Sequence, residues 1–160
     1  MIIIYWCYGG AHSSPIAAAI HVGKLPADRT PTVEQIESTL YYDQVDSQYR
    51  GRTLYVGEDE FNNKVYVCGR GSEKKGIEQA IRSGVTLAGG KVEDFLFVDT
   101  LPAVNNIMRL GGFLSRQLKW VSIGRPIVIR GTQKAFPQLV EIVTRTKEKF
   151  AKDKRETASP

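Results

Sequence analysis

Cysteine and histidine are scarce in this chain, with two of each in 160 residues. Cys7 and Cys68 make neither a disulfide framework nor a zinc pattern, and His12 and His21 are too far apart to complete a metal site. Long hydrophobic runs are missing too: nothing approaches the ~20 apolar residues of a membrane-spanning helix. No basic stretch precedes Ile2, and a glycine pair cuts the opening apolar run before a signal-peptide core can form. The expectation is a cytoplasmic protein with reduced thiols and no membrane partner. The Lys-Ser/Thr ending of a nucleotide-triphosphate loop and the glycine spacing of a dinucleotide fingerprint are both absent, so ATP and NAD are not specifically indicated and no cofactor is expected. Charge of one sign is weak as well. The formal +5 comes largely from the C-terminal segment, where the basic cluster from Arg145 to Arg155 lacks interleaved aromatics and reads as a solvated helix end.

What is present is concentrated in the first 22 residues. Ile2 to Trp6 form a β-branched and aromatic run suited to one buried strand, and it stops at Cys7. Tyr8, Gly9, Gly10, Ala11 and His12 follow, with a glycine pair that lets the backbone turn sharply and present its N–H groups. Ser13 and Ser14 suit helix caps, Pro15 suits a first helical position, and Ile16 to Val22 continue as an alanine-rich helix. Strand, glycine turn and helix together predict an anion site, because the unpaired N–H groups at the helix start face the turn. Phosphate, sulfate and carboxylate all satisfy that geometry.

Further along, Thr32 and Gln35 form a capping box for a second helix whose face carries Val33, Ile36 and Leu40. The polar segment Asp43 to Arg50 reads as a surface loop. Residues 53–57 and 64–69 predict a hairpin around Asn62 and Asn63, with Leu54, Val56, Val65 and Val67 pointing inward. A helix with Gly84 inside it follows, then a strand at 95–98 that ends at Asp99, then a helix from Val104 to Leu118 interrupted at Gly111 and Gly112. Ile127 to Arg130 read as a third buried strand, with Thr132 capping the last helix. Apolar strands before turns and helices predict an α/β fold: a mainly parallel sheet with flanking helices, the N-terminal anion site, and a small β-hairpin insertion. Residues 1–150 are expected to form one domain and 151–160 a charged, frayed tail. Ligands of such sheets gather beyond the carboxyl ends of the strands, where Cys7, Asp99 and Arg130 are all placed.

Two resemblances attach to these residues. CYGGAHSS, FVDTLP, RLGGFLSR and GRPIVIRGTQKA resemble, over nearly the whole chain, a domain-of-unknown-function family of small proteins from spore-forming Firmicutes, which implies no established activity. CYGGAHSSPIAAA alone is similar to the phosphate-binding loop of low-molecular-weight protein tyrosine phosphatases, matching at Cys7, Gly9, Ser14, Pro15, Ala17 and Ala19. By that likeness Cys7 is the nucleophile and Ser14 assists its thiolate. The loop arginine, which clamps phosphoryl oxygens through two N–H groups, is replaced by Ser13. Losing such a clamp removes roughly 3 kcal/mol of transition-state stabilisation, about a hundredfold in rate. Arg130, Lys134 and Arg125 are candidates to supply the charge from elsewhere, and Ser13→Arg tests whether its absence limits the chemistry.

The candidate catalytic residues are therefore Cys7, His12 and Asp99, with Asp99 as general acid. Tyr8 to Ser14, Arg130, Thr132 and Lys134 are candidate ligand contacts, and no metal site is expected. Plainer roles stand beside these: Cys7 as a small buried hydrophobe, His12 as a packed loop residue, Asp99 as a turn cap, Thr132 as a helix cap, Lys134 as a solvated charge. His21 and Cys68 read as structural. Three functions fit. The first is a binder of a phosphate-bearing small molecule or nucleotide, with a degenerate cysteine-dependent phosphoester hydrolase activity attached. The second is a non-catalytic module that docks RNA, the ribosome or another protein. The third is a regulator in which Cys7 is reversibly oxidised.

Overall fold

The isoleucine-rich strand β1 (Ile2–Cys7) lies in the interior of a four-stranded sheet of order β2-β3-β1-β4. In the computed structural model, which describes residues 1–157, its neighbours are β3 (Lys64–Gly69) and β4 (Phe95–Asp99), both parallel to it. β2 (Thr53–Glu58) pairs antiparallel with β3 through a bulge between Tyr55 and Gly57. The chain is thus α/β with a mostly parallel sheet. The expected hairpin forms, but β3 is inserted next to β1, so the hairpin is part of the sheet rather than an appendage.

Side-chain alternation along β1 divides the core in two. Ile3 and Tyr5 pack with Val65 and Val67 under α1 (Ser13–His21) and α5 (Val121–Thr157). Ile4 and Trp6 face the opposite side, with Cys68 and the partly buried Ile77 and Ile81 of α3 (Lys74–Leu87). Gly84 does not break α3. His21 is fully buried and structural: its Nδ1 accepts from Tyr5 Oη at 2.7 Å and its Nε2 donates to Asp59 at 3.1 Å.

The run Ile127 to Arg130 is not a strand. It lies inside α5, which contains Pro126 and Pro137. Three apolar residues in a row fit either period taken alone. Its continuation decides: Val128, Ile129, Thr132, Ala135, Phe136, Leu139 and Val143 are buried at the three-and-four spacing of one helix face. Thr132 therefore sits in mid-helix and caps nothing; its hydroxyl donates to the Val128 carbonyl and accepts from Tyr42 Oη at 2.8 Å.

Gly111 and Gly112 do not interrupt a helix either. α4 (Asn106–Gly112) is capped by Asn105 and passes directly into a π-helical turn, Phe113–Gln117. A Cβ at Gly111 would collide with the Val128 amide, and one at Gly131 would lie 2.6 Å from the Met108 amide. These glycines let α4 and α5 touch backbone to backbone.

Three local expectations change. α1 begins at Ser13 with His12 as its N-cap and no side-chain cap, because both serine hydroxyls are engaged elsewhere. α2 (Val33–Glu37) has the Thr32/Gln35 capping box but ends before Leu40, and only Ile36 of its expected apolar face is buried. The segment from Asp43 does not simply loop over the surface, since Asp43 and Val45 are buried. Backbone helix continues through Thr157, and the end of the expected frayed tail, 158–160, lies outside the described residues. Among the described residues no helix is long and apolar enough to cross a membrane.

Candidate functional site

The parallel strands all end at one edge of the sheet, and the loop from Tyr8 to His12 leaves β1 there. Gly10 adopts φ 72°, and a Cβ on it would lie 2.7 Å from the Gly69 amide. Only glycine permits that turn so close to β3. The Arg70 amide donates to the Cys7 carbonyl, the Gly71 amide to that of Tyr8, and the Asp43 amide to that of Ala11. The loop is thus tied outward to neighbouring segments through its Tyr8 and Ala11 carbonyls. Its donors are not: among the described residues no protein acceptor meets the N–H groups of Tyr8, Gly9, Ala11 or His12.

The Gly10 N–H is the exception, donating to Cys7 Sγ at 3.2 Å. Ser14 Oγ lies 3.3 Å from the same sulfur. Cys7 is 5% exposed and is among the residues lining a cleft of about 1010 Å³. Tyr8, Gly9, Ala11, His12 and Ser13 line the cleft beside it; Leu101, Val104, Met108 and Phe113 add an apolar wall. Arg50, Arg109, Arg116 and Lys119 bring positive charge.

His12 is held by a partner that sequence reasoning placed on the surface. Its Nε2 lies 3.1 Å from Oδ1 of Asp43, whose side chain is fully buried. Asp43 also accepts from Ser115 Oγ at 2.8 and 2.7 Å and from Arg125 Nε at 3.1 Å. Burial opposes the charged carboxylate, but the hydrogen bonds from His12, Ser115 and Arg125 outweigh it and bring its pKa down to about 2. An ionised Asp43 only accepts, so His12 Nε2 carries a proton and Nδ1 is the ring's free edge. That edge faces Gly112, where a Cβ would stand 3.2 Å from Nδ1. The absence of a side chain there leaves the imidazole accessible from the cleft that Gly112 also lines.

Other expected site residues lie elsewhere. Asp99 does not line the cleft. Its carboxylate pairs with Arg70 and Lys74, each at 3.1 Å, and accepts from the Leu101 amide, as a turn cap does. Arg130 and Lys134 are exposed on α5, Thr132 is buried within it, and none of the three lines the cleft. These displacements follow from the missing third strand, whose end was to bring them to the loop. Ser13 is fully buried; Thr100 Oγ1 donates to the Trp6 carbonyl, so Ser13 Oγ donates to Thr100 at 2.9 Å. Its hydroxyl is bound at the seam between β1 and β4, and an arginine at that fully buried position gives up this hydrogen bond and must displace its neighbours.

A sequence model of the family described as "Protein of unknown function (DUF3189)" matches residues 2–148. The chain belongs to that family. Comparison with curated proteins and with solved structures returned no match. In this DUF3189 chain the shared region spans the whole site, from the Cys7 loop through Asp43 and α4 to Arg125. Among the described residues no group of three or more His, Cys, Asp or Glu side chains is placed to hold a metal ion. Sequence reasoning missed Asp43, Ser115, Arg50, Arg109, Arg116 and Lys119 as site residues. RLGGFLSR, which carries Arg109, Gly112, Ser115 and Arg116, was conspicuous as a segment, but nothing in its spacing ties it to the loop.

Proposed function

We propose that this protein binds a phosphate-bearing small molecule or nucleotide through the Cys7 to Ser14 loop, in the cytoplasm. The observation that carries this reading is the set of unpaired amides at Tyr8, Gly9, Ala11 and His12, residues that line a cleft with basic side chains at the start of α1. A row of amides without protein acceptors at a helix start suits the oxygens of an anion. The two unpaired thiols, Cys7 and Cys68, fit a reducing compartment.

Thiol-dependent hydrolysis of a phosphoester is the second reading, favoured by the contacts around Cys7 Sγ. Gly10 N–H and Ser14 Oγ stand where they support a thiolate during attack on phosphorus. The Cys7 thiol first gives its proton to His12 Nδ1; the thiolate sulfur then forms an S–P bond as the ester P–O bond breaks, and the departing oxygen takes that proton from Nδ1. Water then gives a proton back to Nδ1 and attacks phosphorus, the S–P bond breaks, and phosphate leaves. Asp43 orients the ring throughout. His12 replaces Asp99 in this role because it alone of the two lines the cleft.

Alkylation of Cys7 by iodoacetamide, with and without inorganic phosphate, tests the binding. Cys68 is an internal reference: it is 1% exposed, and burial raises its pKa to about 11. Phosphate is expected to slow modification of Cys7 in a saturable way. Identical rates at all phosphate concentrations, matched for ionic strength, would refute the reading.

A further inference from the structure

The cleft holds more positive charge than one phosphate group requires. Its ionised lining is Arg50, Arg109, Arg116, Lys119 and the single carboxylate of Asp46. Arg116 is already committed, pairing with Asp46 and donating to the Asp43 carbonyl at 3.0 Å. Arg50, Arg109 and Lys119 have no acidic partner among the described residues. They come from three separate places: Arg50 just before β2, Arg109 on α4, and Lys119 on the turn into α5, at φ 57°. Arg50 is also positioned, since its guanidinium lies 5.0 Å from the centroid of the Tyr8 ring, at the start of the loop.

A phosphate monoester carries a charge of about −1.5 to −2 at neutral pH. The loop amides meet one such group without any side-chain charge, as helix N-termini and oriented amides do. Three cations on different walls then face a second region of the ligand. The cleft volume of about 1010 Å³ accommodates an organic ligand, far more than a single oxyanion needs. Its apolar wall of Leu101, Val104, Met108 and Phe113 offers nothing to an inorganic anion but suits a base or a hydrocarbon.

We propose that the ligand is an organic di- or polyphosphate, with one phosphoryl group on the loop amides, the next against Arg109 and Arg50, and its apolar portion along Val104, Met108 and Phe113. This rests on the loop reading above and goes beyond it in ligand class. A second phosphoryl group adds charge-assisted hydrogen bonds to guanidinium that a lone phosphate does not make.

Titration calorimetry at constant ionic strength compares inorganic phosphate, pyrophosphate, ADP and geranyl diphosphate. Pyrophosphate is expected to bind about tenfold tighter than phosphate, and one of the two organic diphosphates tighter still, which distinguishes a base from a hydrocarbon. In Arg109→Gln the preference for pyrophosphate over phosphate falls toward unity. Circular dichroism of the variant checks that the fold is kept, and Arg50→Gln gives a second, independent variant. Pyrophosphate binding no tighter than phosphate overturns the inference and leaves the loop reading standing, as does a preference unchanged in both variants. Organic diphosphates no tighter than pyrophosphate overturn the assignment of the apolar wall. Failure of phosphate and all the diphosphates to bind overturns both readings.

Discussion

Asp43→Asn removes one charge from the best-buried carboxylate beside the cleft and leaves its shape nearly unchanged. In the native chain this group joins four segments: its own, the loop through His12, the π-helical turn through Ser115, and α5 through Arg125. Its pKa falls from 3.8 to about 2 on folding, which corresponds to about 2 kcal/mol of stability. The sign follows from the depressed pKa. The stabilisation is fully present above the unfolded value near 4 and is lost as pH falls through the folded value. At pH 7 the variant is expected to be about 2 kcal/mol less stable, a fall of roughly 4–8 °C in melting temperature for a chain of this size. Urea unfolding of both proteins at several pH values between 7 and 2 measures the difference directly. Other carboxylates with depressed values, such as Asp59, are common to both proteins and cancel. The gap between the two proteins should shrink between pH 4 and pH 2. A gap that stays constant across that range, or is already absent at pH 7, would show that Asp43 does not act as a buried anion holding His12.

Ser13→Arg is expected to destabilise the fold by more than about 3 kcal/mol, with no gain of phosphoester hydrolysis, because the position is fully buried and its hydroxyl is bound to Thr100. A well-folded variant that gains hydrolysis would contradict this. Gly111→Ala should cost about 1–3 kcal/mol or more in urea unfolding, since the added methyl collides with the Val128 backbone. Gly84→Ala, with nothing within 4 Å of the new methyl inside α3, should instead stabilise by roughly 0.5–1 kcal/mol. Similar effects of the two glycine changes would remove the close α4–α5 contact from the account.

The opening of the chain was legible because its signals are local. A β-branched run, a glycine pair and an alanine-rich stretch each restrict the backbone within a few residues, and strand, turn and helix appear where those signals stand. The Thr32/Gln35 capping box closes over three residues and was readable for the same reason. Ile127 to Arg130 were misread because three β-branched residues closed by an arginine satisfy the strand and helix periods equally until burial is known, and the errors at Arg130, Thr132 and Lys134 descend from that one. Asp43 was invisible for a different reason. Its partners are 31, 72 and 82 residues away, and a carboxylate in a polar segment has no local mark of burial. The cleft's cations share that difficulty, since only the packing of α4 on α5 brings Arg109 and Lys119 to the loop.

The central claim is that the backbone after β1 presents free amides to an anion. Amide chemical shifts of an isotopically labelled sample, followed as inorganic phosphate is added at constant ionic strength, test it most directly. Saturable shifts confined to Tyr8, Gly9, Ala11, His12 and their immediate neighbours are the predicted result. Unmoved loop amides at saturating phosphate, or shifts confined to exposed lysines and arginines far from Cys7, would contradict it.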